Sequence, residues 1–142
     1  RPGPRAGARS APALSAAQSG GVVNFAMQFR GVPYVWGGAS PSGFDCSGFT
    51  RYVYAQFGLH LPHSAAGQYS QRYGTFIDRA NLQPGDIVFF ANTYKRGISH
   101  VGIYIGGGMV VQALAPGTSL SAVSINGSYW NSKYYGALRP NL

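Results

Sequence analysis

Acidic side chains are nearly missing from this chain. Only Asp45, Asp78 and Asp86 stand against 11 lysines and arginines in 142 residues, a net charge of +8. So few carboxylates leave little for a two-carboxylate glycosidase, which draws both its acid and its base from such side chains. The positive excess points to a polyanionic neighbourhood: nucleic acid, an anionic membrane surface or a bacterial wall. The bases are scattered rather than clustered, so nucleic acid is not the expected partner. Cysteine is as scarce. With Cys46 alone there is no internal disulfide, and the fold must rest on packing. No apolar run approaches the roughly 20 residues of a membrane-spanning helix. No secretory leader is visible and the chain opens on Arg1, so it reads as a mature fragment or a piece of a longer chain whose export signal is absent.

Large apolar residues are also lacking at positions 1 to 20, "RPGPRAGARSAPALSAAQSG". Such a segment buries too little surface to offset its ordering entropy and reads as a flexible linker or tail. Residues 21–142 carry the core-forming material and are expected to form one domain.

From Val22, apolar residues at Val22, Phe25, Ala26 and Phe29 make a helical stripe that Gly31 stops. A Gly- and Pro-rich loop follows. From Cys46 the pattern is helical again, with Phe49, Val53, Gln56 and Phe57 on one side and Gly58 as cap. Ser64 offers an N-cap for a short helix. The period then switches to that of strands in 86–91, 100–106, 109–114, 121–125 and 134–139. Helices first and an antiparallel meander second define an α+β domain.

Cys46 opens a helix behind Asp45. A helix N-terminus offers partial positive charge and free N–H groups, which lower a thiol pKa and can hold an oxyanion. The setting suits a nucleophile, but free cysteine is also a common buried hydrophobe, and position alone does not choose. A thiol nucleophile needs an imidazole. His60 and His63 flank Pro62 in a loop, where solvation or packing is the ordinary role, whereas His100 opens a strand. If Gly106, Gly107 and Gly108 form the hairpin loop, Ile105 faces Met109 and His100 faces Leu114. Gln112 is then a diagonal same-face neighbour of His100, able to accept from one imidazole nitrogen and leave the other for Cys46. A two-residue loop would put Gln112 on the opposite face.

"PYVWGGASPSGFDCSGF", "LPHSAAGQ", "LQPGDIVFF" and "SHVGIYIGGGMVVQA" occur in that order. Together, over about residues 21 to 140, they resemble the NlpC-type cysteine peptidases of bacterial cell walls, also called the p-sixty family. The resemblance implies a reduced papain-like α+β fold, with N-terminal helices packed on a five- to six-stranded antiparallel sheet. It implies hydrolysis of peptidoglycan stem peptides, typically between γ-linked D-glutamate and a diamino acid, through a thioester and with no metal or cofactor. Carried over by position, Cys46 is the nucleophile, His100 the general base and Gln112 the polar third residue. Tyr34 lines the site and helps bind the oxyanion. Asp45 and Ser47 match positions that contact substrate in members recognising a free amino terminus. Trp36 borders the groove, and Ser99, beside His100, is taken as a further substrate contact. The expected setting is secreted or periplasmic, on an anionic wall, as a monomer. The third position is most often His in this family, so neutral Gln112 orients His100 while stabilising an imidazolium less than a carboxylate would.

Rival readings remain at this level. Cys46 with histidines, including His60 and His63, has the ligand types of a zinc site, although Pro62 and the helix setting argue against one. A wall-binding module with a vestigial site would keep the same fold. A related cysteine amidase would cut the glycan–peptide bond or a γ-glutamyl bond in a substrate outside the wall.

Overall fold

The computed structural model describes residues 12–142. Helix α1 spans Ala16–Met27, α2 Cys46–Ala55, α3 Ala65–Gln68 and α4 Ser128–Lys133. A two-stranded ribbon, β1 (Ala39–Ser40) with β2 (Gly43–Phe44), precedes α2. Six further strands, β3 Gly74–Ile77, β4 Ile87–Ala91, β5 Ile98–Gly106, β6 Met109–Gln112, β7 Ser121–Ser124 and β8 Tyr134–Pro140, form one antiparallel sheet. The α+β class with helices on a six-stranded antiparallel sheet is as expected. The strand order is β3-β8-β4-β5-β6-β7, so only β4 to β7 form a meander. The last strand inserts between β3 and β4.

Helix α1 begins earlier than the apolar stripe indicates. Residues 16–20, read from composition as tail, are helical. Ser15 and Gln18 form a reciprocal capping box, and the Gln83 amide clamps the backbone of buried Leu14 through both its oxygen and its nitrogen. Gly20 faces open space, whereas the next residue is closely packed. A Cβ at Gly21 would stand 3.2 Å from the Phe57 ring. Residues 1–11 of the expected tail lie outside the described residues.

The sheet divides the core. On the helix side, Val22, Phe44, Phe49, Val53, Phe89, Ile103 and Val111 are fully buried in one cluster. On the other, Val88, Phe90 and Val110 gather with half-buried Trp130 from α4. Gln56, expected on the inner side of α2, is exposed. Its place is taken by Tyr54, fully buried with its hydroxyl donating to the Gly85 carbonyl. Among the described residues no helix is long and apolar enough to cross a membrane.

Asp86 is more than the turn residue its "PGD" setting indicates. Fully buried, it accepts from Arg139 Nε at 2.9 Å and Nη2 at 2.8 Å, and from the Gln83 backbone N–H at 2.8 Å. The guanidinium also donates to the Asn81 carbonyl. This two-point pair fastens β8 to the start of β4. Removing one member leaves an uncompensated buried charge. Asp86→Ala is therefore expected to destabilise the domain by about 3–5 kcal/mol, read as a lowered urea midpoint. A loss under about 1 kcal/mol, the range of surface pairs, would contradict the pair's structural role.

Candidate active site

Cys46 is placed by the residue before it. Asp45 is the N-cap of α2: its Oδ1 accepts from Gly48 N–H at 2.7 Å, and Oδ2 accepts from Gly37 N–H at 3.1 Å. Two glycines make the approach possible, since a Cβ on Gly48 would sit 1.9 Å from the Gly38 carbonyl oxygen. Beneath the first turn, buried Gln68 accepts from Thr50 Oγ1 and donates to the Ser47 and Pro62 carbonyls, tying α3 and its preceding loop to α2. The helix that carries Cys46 is held from both sides.

Cys46 meets the backbone of β5 around His100. Its thiol faces the Ser99 carbonyl at 4.0 Å, and the Val101 N–H lies against the sulfur. Burial pushes the Cys46 thiol up to about 11, and the Asp45 charge adds to the rise. The N–H groups of Val101, Ser47 and Cys46 pull the other way and are outweighed. The expected lowering by the helix terminus is thus reversed. The resting sulfur is a thiol, and its alkylation is expected to be slow below pH 8.

His100 is buried, and its Nε2–H donates to Gln112 Oε1 in a short hydrogen bond, leaving Nδ1 without a hydrogen bond among the described residues. The register behind this contact comes by an unforeseen route. The turn is the two-residue kind, Gly106 pairing with Met109. A bulge at Ile105 then restores Ile103 opposite Val111, which returns Gln112 to the His100 side. Gly102 stands between them, and a Cβ there would lie 3.3 Å from that of Gln112 and 3.1 Å from the Val111 oxygen. Rings from Trp130 and Phe90 flank the imidazole at 5.3 and 5.8 Å between centroids. Burial lowers the His100 pKa to about 4, against the partial opposing effect of the Gln112 bond.

A cavity of about 330 Å³ opens beside the thiol, lined by Tyr34, Trp36, Asp45, Cys46, Ser47 and His63 among others. A smaller hollow of about 160 Å³ is lined by His100, Leu114, Tyr129 and Trp130. Tyr94 borders both. Five residues expected at the site, Tyr34, Trp36, Asp45, Cys46 and Ser47, share the larger cavity. Burial, with the charges of Cys46, Asp45 and Tyr94, holds the Tyr34 phenol up at about 12, so it keeps its proton as a donor. Trp36 is 70% exposed and meets Tyr94 edge-on, forming the rim.

The other three expected residues, His100, Gln112 and Ser99, do not line the larger cavity. Ser99 is turned away from the site. It is the extra residue of a bulge, with His100 opposite Phe90 but Ile98 opposite Ala91, which breaks the strand's alternation. Its buried hydroxyl bonds Thr93 Oγ1 and accepts from Thr93 N–H, so the side chain braces the 92–97 loop and is absent from the cavity lining. His63 is the residue sequence reasoning set aside. Its Nε2 lies 2.7 Å from Asp45 Oδ1. The signal for it lay in "LPHSAAGQ", where it directly precedes the N-cap of α3.

Residues 31–139 match the profile of the NlpC/P60 family, and the chain belongs to that family. It is 44% identical over 135 residues to the gamma-DL-glutamyl hydrolase of Bacillus subtilis strain 168, covering 94% of this chain and 32% of that protein. It is 47% identical over 111 residues to a probable endopeptidase p60 of Listeria grayi, covering 78% and 20%. The solved NlpC/p60 domain of the peptidoglycan hydrolase SagA superimposes with a TM-score of 0.73 at 38% identity, covering 85% of this chain and 97% of that domain. The chain thus spans about a third or less of the two full-length relatives.

The His100 environment makes stability depend on pH. A buried imidazole held near 4, against 6.5 when unfolded, binds fewer protons folded than unfolded in that interval. Its contribution is complete above the unfolded value and is lost as pH falls through the folded one. About 3 kcal/mol should disappear between pH 7 and pH 4, read from urea unfolding. His100→Gln should lack that component, and an equal acid loss in that variant would place the effect elsewhere.

Proposed function

We propose that this domain is a cysteine peptidase that hydrolyses γ-D-glutamyl amide bonds in peptidoglycan stem peptides, exported and resident on an anionic wall. The observation that carries the reading is the Cys46 thiol at the head of α2 against the β5 backbone at Ser99, next in the chain to His100, whose Nε2 is committed to Gln112. The relatives named as endopeptidase and glutamyl hydrolase act as further support.

In this mechanism the substrate carbonyl enters the larger cavity, and substrate binding brings the thiol and the imidazole within hydrogen-bond reach, as catalytic contacts often form only in the complex. As sulfur attacks, His100 Nδ1 accepts the thiol proton, which suits a pair neutral at rest. The oxyanion is held by the Cys46 backbone N–H and the Tyr34 hydroxyl, both protonated donors throughout. Collapse of the adduct breaks the C–N bond while the imidazolium gives its proton to the leaving amine. Water then attacks the thioester with His100 again as base, regenerating the thiol. Gln112, as a neutral acceptor, holds the ring orientation and fixes which nitrogen carries the resting proton.

A second reading keeps the bond and changes the substrate: a γ-glutamyl chain outside the wall. It is favoured by the Bacillus subtilis relative and by the +8 charge, since γ-linked glutamyl residues leave free carboxylates.

The test is mass spectrometry of stem peptides, whole sacculi and γ-glutamyl oligomers after incubation with the protein and with Cys46→Ala. Fragments ending at γ-D-glutamate, absent with the variant, are expected. Tight binding to sacculi without cleavage of any substrate would contradict the reading and favour a wall-binding module. Gln112→Ala should lower kcat by roughly 10–100-fold, part of the general acid–base contribution, with KM little changed. A change confined to KM would remove Gln112 from the positioning role.

A further inference from the structure

A second cleft, of about 440 Å³, shares no lining residue with the cavity at Cys46. It opens where the sheet is incomplete. Strand β3 pairs with β8 only from Gly74–Pro140 to Ile77–Ala137, so Tyr134–Gly136 run on without β3 beside them. Aromatic rings fill one side of this gap. Tyr69 stacks on Phe76 at 4.4 Å and meets Tyr135 edge-on at 5.3 Å between centroids. Gly136 leaves room for the Tyr69 ring, since a Cβ there would stand 2.7 Å from its hydroxyl and 3.2 Å from two ring carbons. Tyr135 is 54% exposed, so part of its ring is open to a ligand.

The polar groups of the cleft define what it can hold. Arg79 is the one cation lining it, and its nitrogens are committed to Asn131 Oδ1, Asn126 Oδ1 and the Ile125 carbonyl. Its guanidinium lies 4.5 Å over the Tyr134 ring. Exposed Gln71 and Asp78 add an amide and a carboxylate, and Asp78 makes no capping hydrogen bond to the turn it precedes. Burial, with Tyr135 beside it, raises the Tyr69 phenol, which stays a neutral donor. An anionic polymer would meet a carboxylate and no uncommitted cation. A neutral, hydroxyl-rich ligand fits better. The C–H face of a pyranose lies on an aromatic ring, while its hydroxyl and acetamido groups meet an amide, a carboxylate and a phenol. The size is that of a small-ligand site.

We propose that this cleft binds an N-acetylated glycan strand of the wall polymer, as a second site on the domain that cuts its peptides. The choice of polymer rests on the peptidase reading, and the choice of sugar rests on the cleft's own chemistry. Helix α3 joins the two sites. Ser64 and Ala65 at its start line the Cys46 cavity, while Tyr69 and Gln71 beyond its end line the cleft. The helix has four residues, about 6 Å of axial rise. A strand held at one end keeps its stem peptides concentrated at the other, which lowers the polymer concentration needed and leaves the chemistry at Cys46 unchanged. The cleft therefore matters for cleavage of the polymer and not for cleavage of a free stem peptide.

The probe is the hexasaccharide of N-acetylglucosamine, which carries neither peptide nor charge. It is titrated into the protein, Tyr135→Ala and Gln71→Ala, with affinity read by calorimetry and the contacted residues by amide chemical shifts. Both substitutions are at exposed positions, and either variant alone suffices for the comparison. The hexasaccharide should bind and shift the amides of residues 69–71 and 134–136. Tyr135→Ala should weaken binding roughly three- to tenfold, the loss of one aromatic contact, and Gln71→Ala should weaken it by a smaller factor. Both variants should release fragments from whole sacculi more slowly while cutting a free stem peptide at the normal rate. Normal peptide cleavage without hexasaccharide binding, or equal affinity in all three proteins, would overturn this proposal alone. Amide shifts at the same residues caused by a free stem peptide instead of the hexasaccharide would replace the glycan by a peptide and overturn it too. Hexasaccharide binding at the cleft by a protein that cuts no stem peptide would overturn the peptidase reading and leave the glycan site standing.

Discussion

Everything at the site depends on where the Asp45 carboxylate is held. It caps α2 through Gly48, draws in the 34–38 loop through Gly37, and fastens the loop before α3 through His63. Three separate segments thereby converge on one side chain, and Cys46 is the next residue. A cap of this kind is worth about 1 kcal/mol to a helix. Its larger consequence is geometric, because it adds a side-chain tie to the backbone pairing of the Tyr34 segment with Phe44 and to the Gln68 link from Pro62 to Ser47. The carboxylate also has a cost for chemistry, since its charge and the burial around it hold the sulfur protonated at rest.

The second half of the site is organised by the β5–β6 hairpin. Gly102 leaves the gap across which Gln112 reaches His100, and the bulge at Ile105 sets the face on which they meet. Trp130 and Phe90 cover the ring, which keeps it dry and neutral. The Gln112 Nε2 group is buried with no partner among the described residues, so the amide serves its oxygen to His100 alone.

Much of this was legible in the sequence because it is local. The helix at Cys46, the Ser64 cap and the hairpin follow from period and turn residues within a dozen positions. The alternation argument even reached Gln112, although through a three-residue loop where the protein uses a shorter loop and a bulge with the same outcome. What was not legible is non-local or irregular. The first turn of α1 is small and polar, and what anchors it lies far along the chain at Gln83. Strand β3 has only four residues, and β8 joins the sheet between strands distant in the chain. Ser99 was misread because a bulge diverts its hydroxyl to Thr93. His63 was set aside because its meaning comes from a carboxylate 18 residues earlier.

The account stands or falls on covalent catalysis by Cys46. The most direct measurement is acid-quenched intact-protein mass spectrometry during turnover of a γ-D-glutamyl stem peptide, with peptide mapping of any adduct. The account predicts a transient mass increase equal to the acyl portion of the substrate, located on Cys46 and removed by hydroxylamine. Rapid hydrolysis with no adduct at any time, and with activity retained by Cys46→Ala, would contradict it.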